Sequence, residues 1–179
     1  MQIYLLYLKK TIETTNNRIG KTVQESEAET TLVMLPSDAN PLGNVFGGMI
    51  LKHVDLIAGL VAKRHAGHAN IVTASLDSMT FSKPVFIGNA LILKARINYV
   101  RRTSMEVEVT IEAEDLNKSE KVLTGTAYVT LVALDNKGKP IEVPKLILQN
   151  IEEEERFLAG ENRMQLRLKN RKKEKEKQD

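Results

Sequence analysis

Cysteine and tryptophan are absent from the 179 residues, and aromatic side chains make up only 4% of them. Without thiols the chain forms no disulfide and performs no thiolate chemistry, a composition suited to a reducing compartment. With so few rings, a core has to be built from aliphatic side chains. No apolar run reaches the roughly 18 residues needed to cross a membrane. The opening MQIYLLYLKK has only a short apolar run, with no basic residue before it and no small-residue cleavage site, so no signal peptide is expected. A cytoplasmic protein is predicted. Histidine is scarce too. His53 and His65 have no second histidine or cysteine at ligand spacing on a common face, so both are read as ordinary helix residues and no metal site is expected.

Charge of one sign is also missing from most of the chain. The net charge is +3, yet Asn162 to Asp179 holds eight Lys or Arg against three acidic residues, which leaves the other 161 residues at −2. The basic character belongs to the tail, so no nucleic-acid partner is expected. A stretch such as RLKNRKKEKEKQD is too polar to bury itself and is expected to be disordered or a frayed helix end.

What is present divides into an irregular lead-in at 1–25, one domain at 26–148, and a short helix with a basic tail at 149–179. One domain suits this length. From Asn44 to Arg64 the sequence reads as a helix that starts near Gly47-Gly48 and is apolar on nearly every side. A helix of that kind must be buried all round. Asp55 interrupts its apolar surface one turn from Leu51 and from Ala58. A strand over Glu27–Leu35 precedes the helix, and four follow. Ile71 to Phe81 is the first, and Leu91 to Tyr99 alternates cleanly. Met105 to Ala113 alternates with Glu106, Glu108, Thr110, Glu112 and Glu114, which predicts a wet face, and Lys121 to Leu134 is the last. Glu152 to Leu158 is expected to form a short helix. Strands joined by short turns pair antiparallel. The prediction is therefore an α+β fold in which a five-stranded antiparallel sheet wraps one long central helix. One sheet cannot cover a helix about 10 Å wide on every side, so a second copy of the chain is expected to cover the rest.

Burying a carboxylate is costly unless it is paired or chemically useful, and Asp55 alone leaves both readings open. The glycines beside it strengthen the chemical reading. Free backbone N–H groups at a helix start, unobstructed by a Cβ, can donate to a negatively charged oxygen. Asp55 is then a candidate base, and Gly47 and Gly48 offer a candidate oxyanion hole. Arg101, Arg102, Thr103 and Ser104, at a turn between strands, offer donors suited to phosphate, with a solvated hairpin tip as the plain alternative. Lys83 is a second cationic candidate. Asp38 is read as a turn residue.

The run LPSDANPLGNVFGGMILKHVDLIAG, followed by VTASLDSMTFSKPVFIGNAL and YVRRTSMEVEV, resembles the hotdog-fold acyl-CoA thioesterases of the broad-range bacterial type and their cytosolic mammalian relatives. The resemblance extends from about Glu29 to Pro144. It implies a hotdog fold and an enzyme of fatty acid metabolism that hydrolyses fatty acyl-CoA to free acid and coenzyme A. No cofactor is implied beyond the coenzyme A of substrate and product. It implies that Asp55 activates water or attacks directly, that Asn44 positions water or substrate from across a dimer interface, and that the thioester carbonyl binds near Gly47 and Gly48. Thr73 and Ser75 would line the pantetheine channel, and the assembly would be a homodimer or a trimer of dimers. Two other readings use the same fold: a non-catalytic acyl-CoA binder or sensor, and a dehydratase with His53 as base.

Overall fold

A computed structural model describes residues 19–67 and 70–176. Residues 1–18 of the expected lead-in, and the last three residues of the basic tail, lie outside the described residues. The elements in chain order are β1 (Gly20–Thr22), β2 (Ala28–Val33), α1 (Gly47–Ala66), β3 (Asn70–Phe81), β4 (Ala90–Val100), β5 (Ser104–Asp115), β6 (Glu120–Leu134), β7 (Lys145–Ile147) and α2 (Ile151–Lys175), with a 3-10 turn at Pro36–Asp38. β2 to β6 form a five-stranded sheet in the order β2-β4-β5-β6-β3, every neighbour antiparallel. β1 and β7 make a separate parallel pair. β1 lies inside the segment expected to be irregular. Three residues are too few for a period-2 pattern to register, and its pairing partner is more than a hundred residues away.

The concave face of the sheet packs on α1. Leu91, Leu93, Ile97, Val107, Val109, Ile111 and Leu131 meet Ile50, Val54, Ile57, Ala58, Val61 and Ala62 in one apolar cluster. These helix positions recur every three or four residues, as one face of an α-helix requires. The helix ends at Gly67, whose φ of 84° suits a residue without Cβ and whose N–H returns to Lys63 O at 3.0 Å.

The expectation that α1 is buried all round needs correction for the single chain. Its outer face leaves Leu51, Leu56 and Leu60 exposed by 39, 60 and 45%. Asp55 stands among them and is exposed as well. β3 stands at the end of the sheet order, paired on one side only among the described residues, and its Thr73 and Leu76 line a cavity with Leu51 and Asp55.

The convex face holds a larger departure. α2 continues through much of the segment expected to be a disordered tail, and it lies across strands that were expected to face water. Glu106 and Glu108, assigned to a wet face, are 2 and 6% exposed. Arginines of α2 neutralise them. Arg163 donates Nε and Nη2 to Glu106 at 3.0 and 2.7 Å, and Arg156 pairs with Glu108. A third such pair joins Arg167 to Asp77. The spacing of seven and then four residues puts all three arginines on one side of the helix. Phe157 packs against Tyr99 with ring centroids 4.8 Å apart, and the Arg163 guanidinium lies 3.8 Å from the Tyr128 ring centre. Gly160 lets the helix approach, because a Cβ there would lie 2.7 Å from Tyr99 Cβ. The basic segment is thus partly consumed as counter-charge for a carboxylate-lined sheet.

Candidate active site

Asp55 projects from the open face of α1 toward the first half of β3. Thr73 Oγ1 donates to Asp55 Oδ1 at 2.6 Å. The two line a cavity of about 400 Å³ with Gly48, Leu51, Lys52, Val54, Leu76 and Val129. A carboxylate held by one hydroxyl on one oxygen keeps the other oxygen for a water or substrate proton. The surrounding wall is mainly aliphatic.

A second cavity, of about 340 Å³, opens at the start of α1. Asn40, Asn44, Gly47, Phe81 and Lys83 are among its lining residues. The two glycines thus face different cavities, Gly47 the one with Asn44 and Gly48 the one with Asp55. Within one chain Asn44 and Asp55 do not meet. Eight helical residues separate Gly47 from Asp55, about 12 Å along the axis. The two glycines also differ sterically. A Cβ on Gly48 would fall 2.3 Å from its own neighbour ring, Phe46, whereas one on Gly47 would sit 3.7 Å from Phe81, an ordinary contact. Phe46 caps the helix without a side-chain hydrogen bond, which leaves first-turn amides for other acceptors.

Asn40 is a residue that the sequence reading passed over as part of a turn. Its Oδ1 accepts the N–H of Leu42 at 2.9 Å and of Asn44 at 3.2 Å. With that oxygen committed, the NH2 group is the donor this cavity-lining side chain has left. Asn followed by Pro in SDANPLGN was the available signal, and it also fits an ordinary loop. Asp38 behaves as read, its Oδ2 accepting Leu35 N–H at 2.7 Å within the 3-10 turn.

Ser75 requires correction. Expected beside Thr73, it donates to Asp77 Oδ1 at 2.8 Å, on the convex side where Asp77 meets Thr130 and Arg167. A register shift between Thr73 and Ser75 is the cause. One inserted residue defeats the period-2 expectation that both share a face.

The four residues of the β4–β5 turn lie together. Arg101 N–H donates to Ser104 O at 2.9 Å, Thr103 O accepts from Ala133 N–H at 3.0 Å, and Arg102 Nε lies 3.7 Å from Glu142. This turn lies at the end of the sheet where Thr73, Leu131 and Met105 align. Lys83 follows β3 at the other end, where Phe81, Gly125 and Ile111 align. Six residues of β5 and of β6 separate the two levels, about 20 Å. One chain cannot bring both cationic sets to one phosphate group.

His65 is fully buried, with Nε2 3.1 Å from Pro144 O, and burial lowers its pKa below the ordinary histidine value. His53 is half-buried on α1. Among the described residues no group of three or more His, Asp or Glu side chains is arranged to hold a metal. No described helix is long and apolar enough to cross a membrane.

With this geometry in hand, similarity to known proteins can be placed on it. The family described as the thioesterase superfamily matches residues 42–120. The chain is 37% identical over 142 residues to the acyl-CoA thioester hydrolase YkhA of Bacillus subtilis, an alignment covering 79% of this chain and 80% of that one. It is 35% identical over 144 residues to the cytosolic acyl coenzyme A thioester hydrolase of Rattus norvegicus, covering 79% of this chain and 38% of that one. The chain therefore spans less than half the length of that mammalian relative. Among solved structures, an apo-hexameric acyl-CoA thioesterase matches with a TM-score of 0.81 at 38% identity, covering 85% of this chain and 97% of the other. An acyl-CoA hydrolase from Staphylococcus aureus, in complex with butyryl coenzyme A, coenzyme A and its disulfide, matches with a TM-score of 0.81 at 34% identity, covering 88 and 95%. Structures of the S. aureus protein with an aspartate, a threonine or an asparagine changed to alanine match equally well.

Proposed function

The chain belongs to the hotdog-fold acyl-CoA thioesterase family, and from that premise we propose that it hydrolyses fatty acyl-CoA thioesters to free acid and coenzyme A. The observation that carries this reading is the Thr73–Asp55 hydrogen bond, 2.6 Å long, inside an aliphatic cavity beside the start of α1. Asp55 acts as general base. Its free oxygen takes a proton from water as the water oxygen bonds to the thioester carbon. The carbonyl oxygen becomes an oxyanion held by an amide N–H near Gly48, which lines the Asp55 cavity. Collapse of the intermediate breaks the C–S bond, and the departing coenzyme A sulfur recovers the proton. The chemistry runs on a carboxylate and amide donors, with coenzyme A as part of substrate and product and no further cofactor. Aspartate, threonine and asparagine, the residue types changed in the S. aureus variants, are also the types found at Asp55, Thr73, and Asn40 and Asn44 here.

The working unit is a homo-oligomer. Exposed Leu51 and Asp55 of α1 share a cavity with Thr73 and Leu76 of β3, the strand at the end of the sheet order. A two-fold partner there would cover both and bring its own Asn40 and Asn44 toward Asp55. A hexamer built from three such dimers accords with the hexameric assemblies of similar thioesterases. In that arrangement the Arg101–Ser104 turn and Lys83 serve coenzyme A phosphates from different copies. We place the enzyme in the cytoplasm, in keeping with its cytosolic mammalian relative.

The test is thiol release across acyl-CoA chain lengths for the wild type, Asp55→Asn and Asp55→Ala. Loss of a general base predicts a fall in kcat of about 10²- to 10⁴-fold with little change in substrate binding. Unchanged turnover in the variants refutes the role of Asp55. Tight acyl-CoA binding by the wild type without thiol release identifies a binder or sensor instead.

A further inference from the structure

β3 shifts register against β6 twice within six residues, between Thr73 and Ser75 and between Leu76 and Ser78. Bulges bend a strand and re-aim its side chains, and they persist where something holds the extra residue. Here the shifts leave Thr73 and Leu76 facing Asp55 in the α1 cavity, while Ser75 and Asp77 face α2. Among the described residues β3 pairs on one side only, so no second described strand fixes its bulged stretch.

Asp77 supplies the missing restraint. One carboxylate oxygen accepts from Ser75 Oγ at 2.8 Å, and the other accepts from Thr130 Oγ1 at 2.8 Å and from the Arg167 guanidinium. Arg167 also donates to Thr130 Oγ1 at 2.5 Å. The ion pair is well enclosed, with side chains 12 and 25% exposed. Charge-assisted bonds of this kind are the stronger class. Arg167 follows Arg163 by one turn and is the last α2 residue in this ion-pair series.

We infer that Asp77 and Arg167 are positioning residues for hydrolysis, the terminal helix locking from behind the sheet the bulged strand that presents Thr73 to Asp55. The inference rests on the hydrolase reading of the Asp55 site. Removing Arg167 leaves Asp77 a half-tied carboxylate and lets the strand relax toward regular register, carrying Thr73 away. A displacement on the order of 1 Å in a catalytic contact can cost up to about a hundredfold in rate.

The experiment is a kinetic double-mutant cycle on the full chain, with the acyl-CoA of highest kcat/KM from the chain-length panel. Arg167→Met should lower kcat about tenfold and move KM less than twofold, and Asp77→Asn should act in the same direction. Arg167→Lys, which keeps a cation at Asp77, should recover most of the loss. In a Thr73→Val background, Arg167→Met should cost less than twofold, because its effect passes through Thr73. Arg163→Met is the matched control: it removes the neighbouring clamp of α2 and should lower the unfolding midpoint while leaving kcat unchanged. The inference is overturned if Arg167→Met keeps wild-type kcat, if its effect is undiminished in the Thr73→Val background, or if Arg163→Met slows turnover equally. If the wild type releases no thiol, or Thr73→Val alone turns over normally, the reading of the Asp55 site has failed and the inference falls with it. Normal loss in Thr73→Val without coupling to Arg167 removes the inference alone.

Discussion

Arg163→Met is the sharpest probe of how α2 is held, because it strips a buried carboxylate of its partner. Glu106 is 2% exposed, and both of its oxygens accept from Arg163, at 3.0 and 2.7 Å. Methionine retains much of the apolar stem but none of the charge. The buried carboxylate is then left without its partner, and breaking an enclosed pair in this way costs about 3–5 kcal/mol, so the variant should be destabilised by that amount at pH 7. Replacing both partners, as Arg163→Met with Glu106→Leu, removes the orphan charge and should return to within about 1–2 kcal/mol of wild type. Urea unfolding at pH 7 and fixed protein concentration measures this; fixed concentration is needed because association also stabilises the fold. A loss below about 1 kcal/mol, or a double replacement no more stable than Arg163→Met alone, would refute the enclosed ion pair as the clamp.

Three further outcomes follow from single contacts. His65 is held neutral by burial, so its folded pKa lies below the ordinary value of 6.5. Its contribution to stability is then complete above that value and is lost as pH falls toward the folded pKa; His65→Phe should flatten the thermal stability profile below about pH 6.5, and an unchanged slope would rule the buried imidazole out. Gly160→Ala gains about 1 kcal/mol of helix propensity but places a Cβ 2.7 Å from Tyr99 Cβ and 2.9 Å from Glu106 Oε1. The tyrosine Cβ cannot swing aside, so overpacking of about 1–3 kcal/mol should win and lower the unfolding midpoint; a rise would show that α2 can lift without penalty. Asn40→Ala removes the amide of a cavity-lining side chain and frees the Leu42 and Asn44 N–H groups, and should reduce kcat in the thiol-release assay by at least about tenfold. Full activity in that variant with loss in Asn44→Ala would assign the role to Asn44 alone.

The sheet around α1 was legible because both elements carry long periods. Ile50, Val54, Ile57, Val61 and His65 repeat as a helix does, and Leu91 to Tyr99 and Met105 to Ala113 alternate as strands do. The same alternation concealed how far the second helix extends and what it packs on, since only Glu152 to Leu158 was expected to be helical. Glu106 and Glu108 in every other position look identical whether water or arginine neutralises them. The distinction was written elsewhere, in the spacing of Arg156, Arg163 and Arg167, inside a segment whose overall polarity argued for disorder. Asp55, Asn44 and the glycines were found as a group, but sequence proximity hid their separation into two cavities on either side of the helix start. Ser75 failed for a different reason. A bulge is one uncounted residue, and nothing in VTASLDSMT reports whether the register slips.

The two faces of the sheet place opposite demands on their helices. α1 contributes aliphatic contacts, which are non-directional, so the helix is fixed in depth more firmly than in fine orientation. α2 contributes ion pairs and hydrogen bonds that tolerate little displacement. Asp55 sits on the first kind of element, and Thr73, which must reach it, sits on a strand restrained by the second. In the isolated chain Asp55 is still open to solvent, where water competes for each of its oxygens. A second copy laid over Leu51, Leu56 and Leu60 would exclude that competition and strengthen every polar contact within. Catalytic competence would then depend on assembly for dryness and on the terminal helix for alignment. The first would respond to protein concentration, and the second would persist at any concentration.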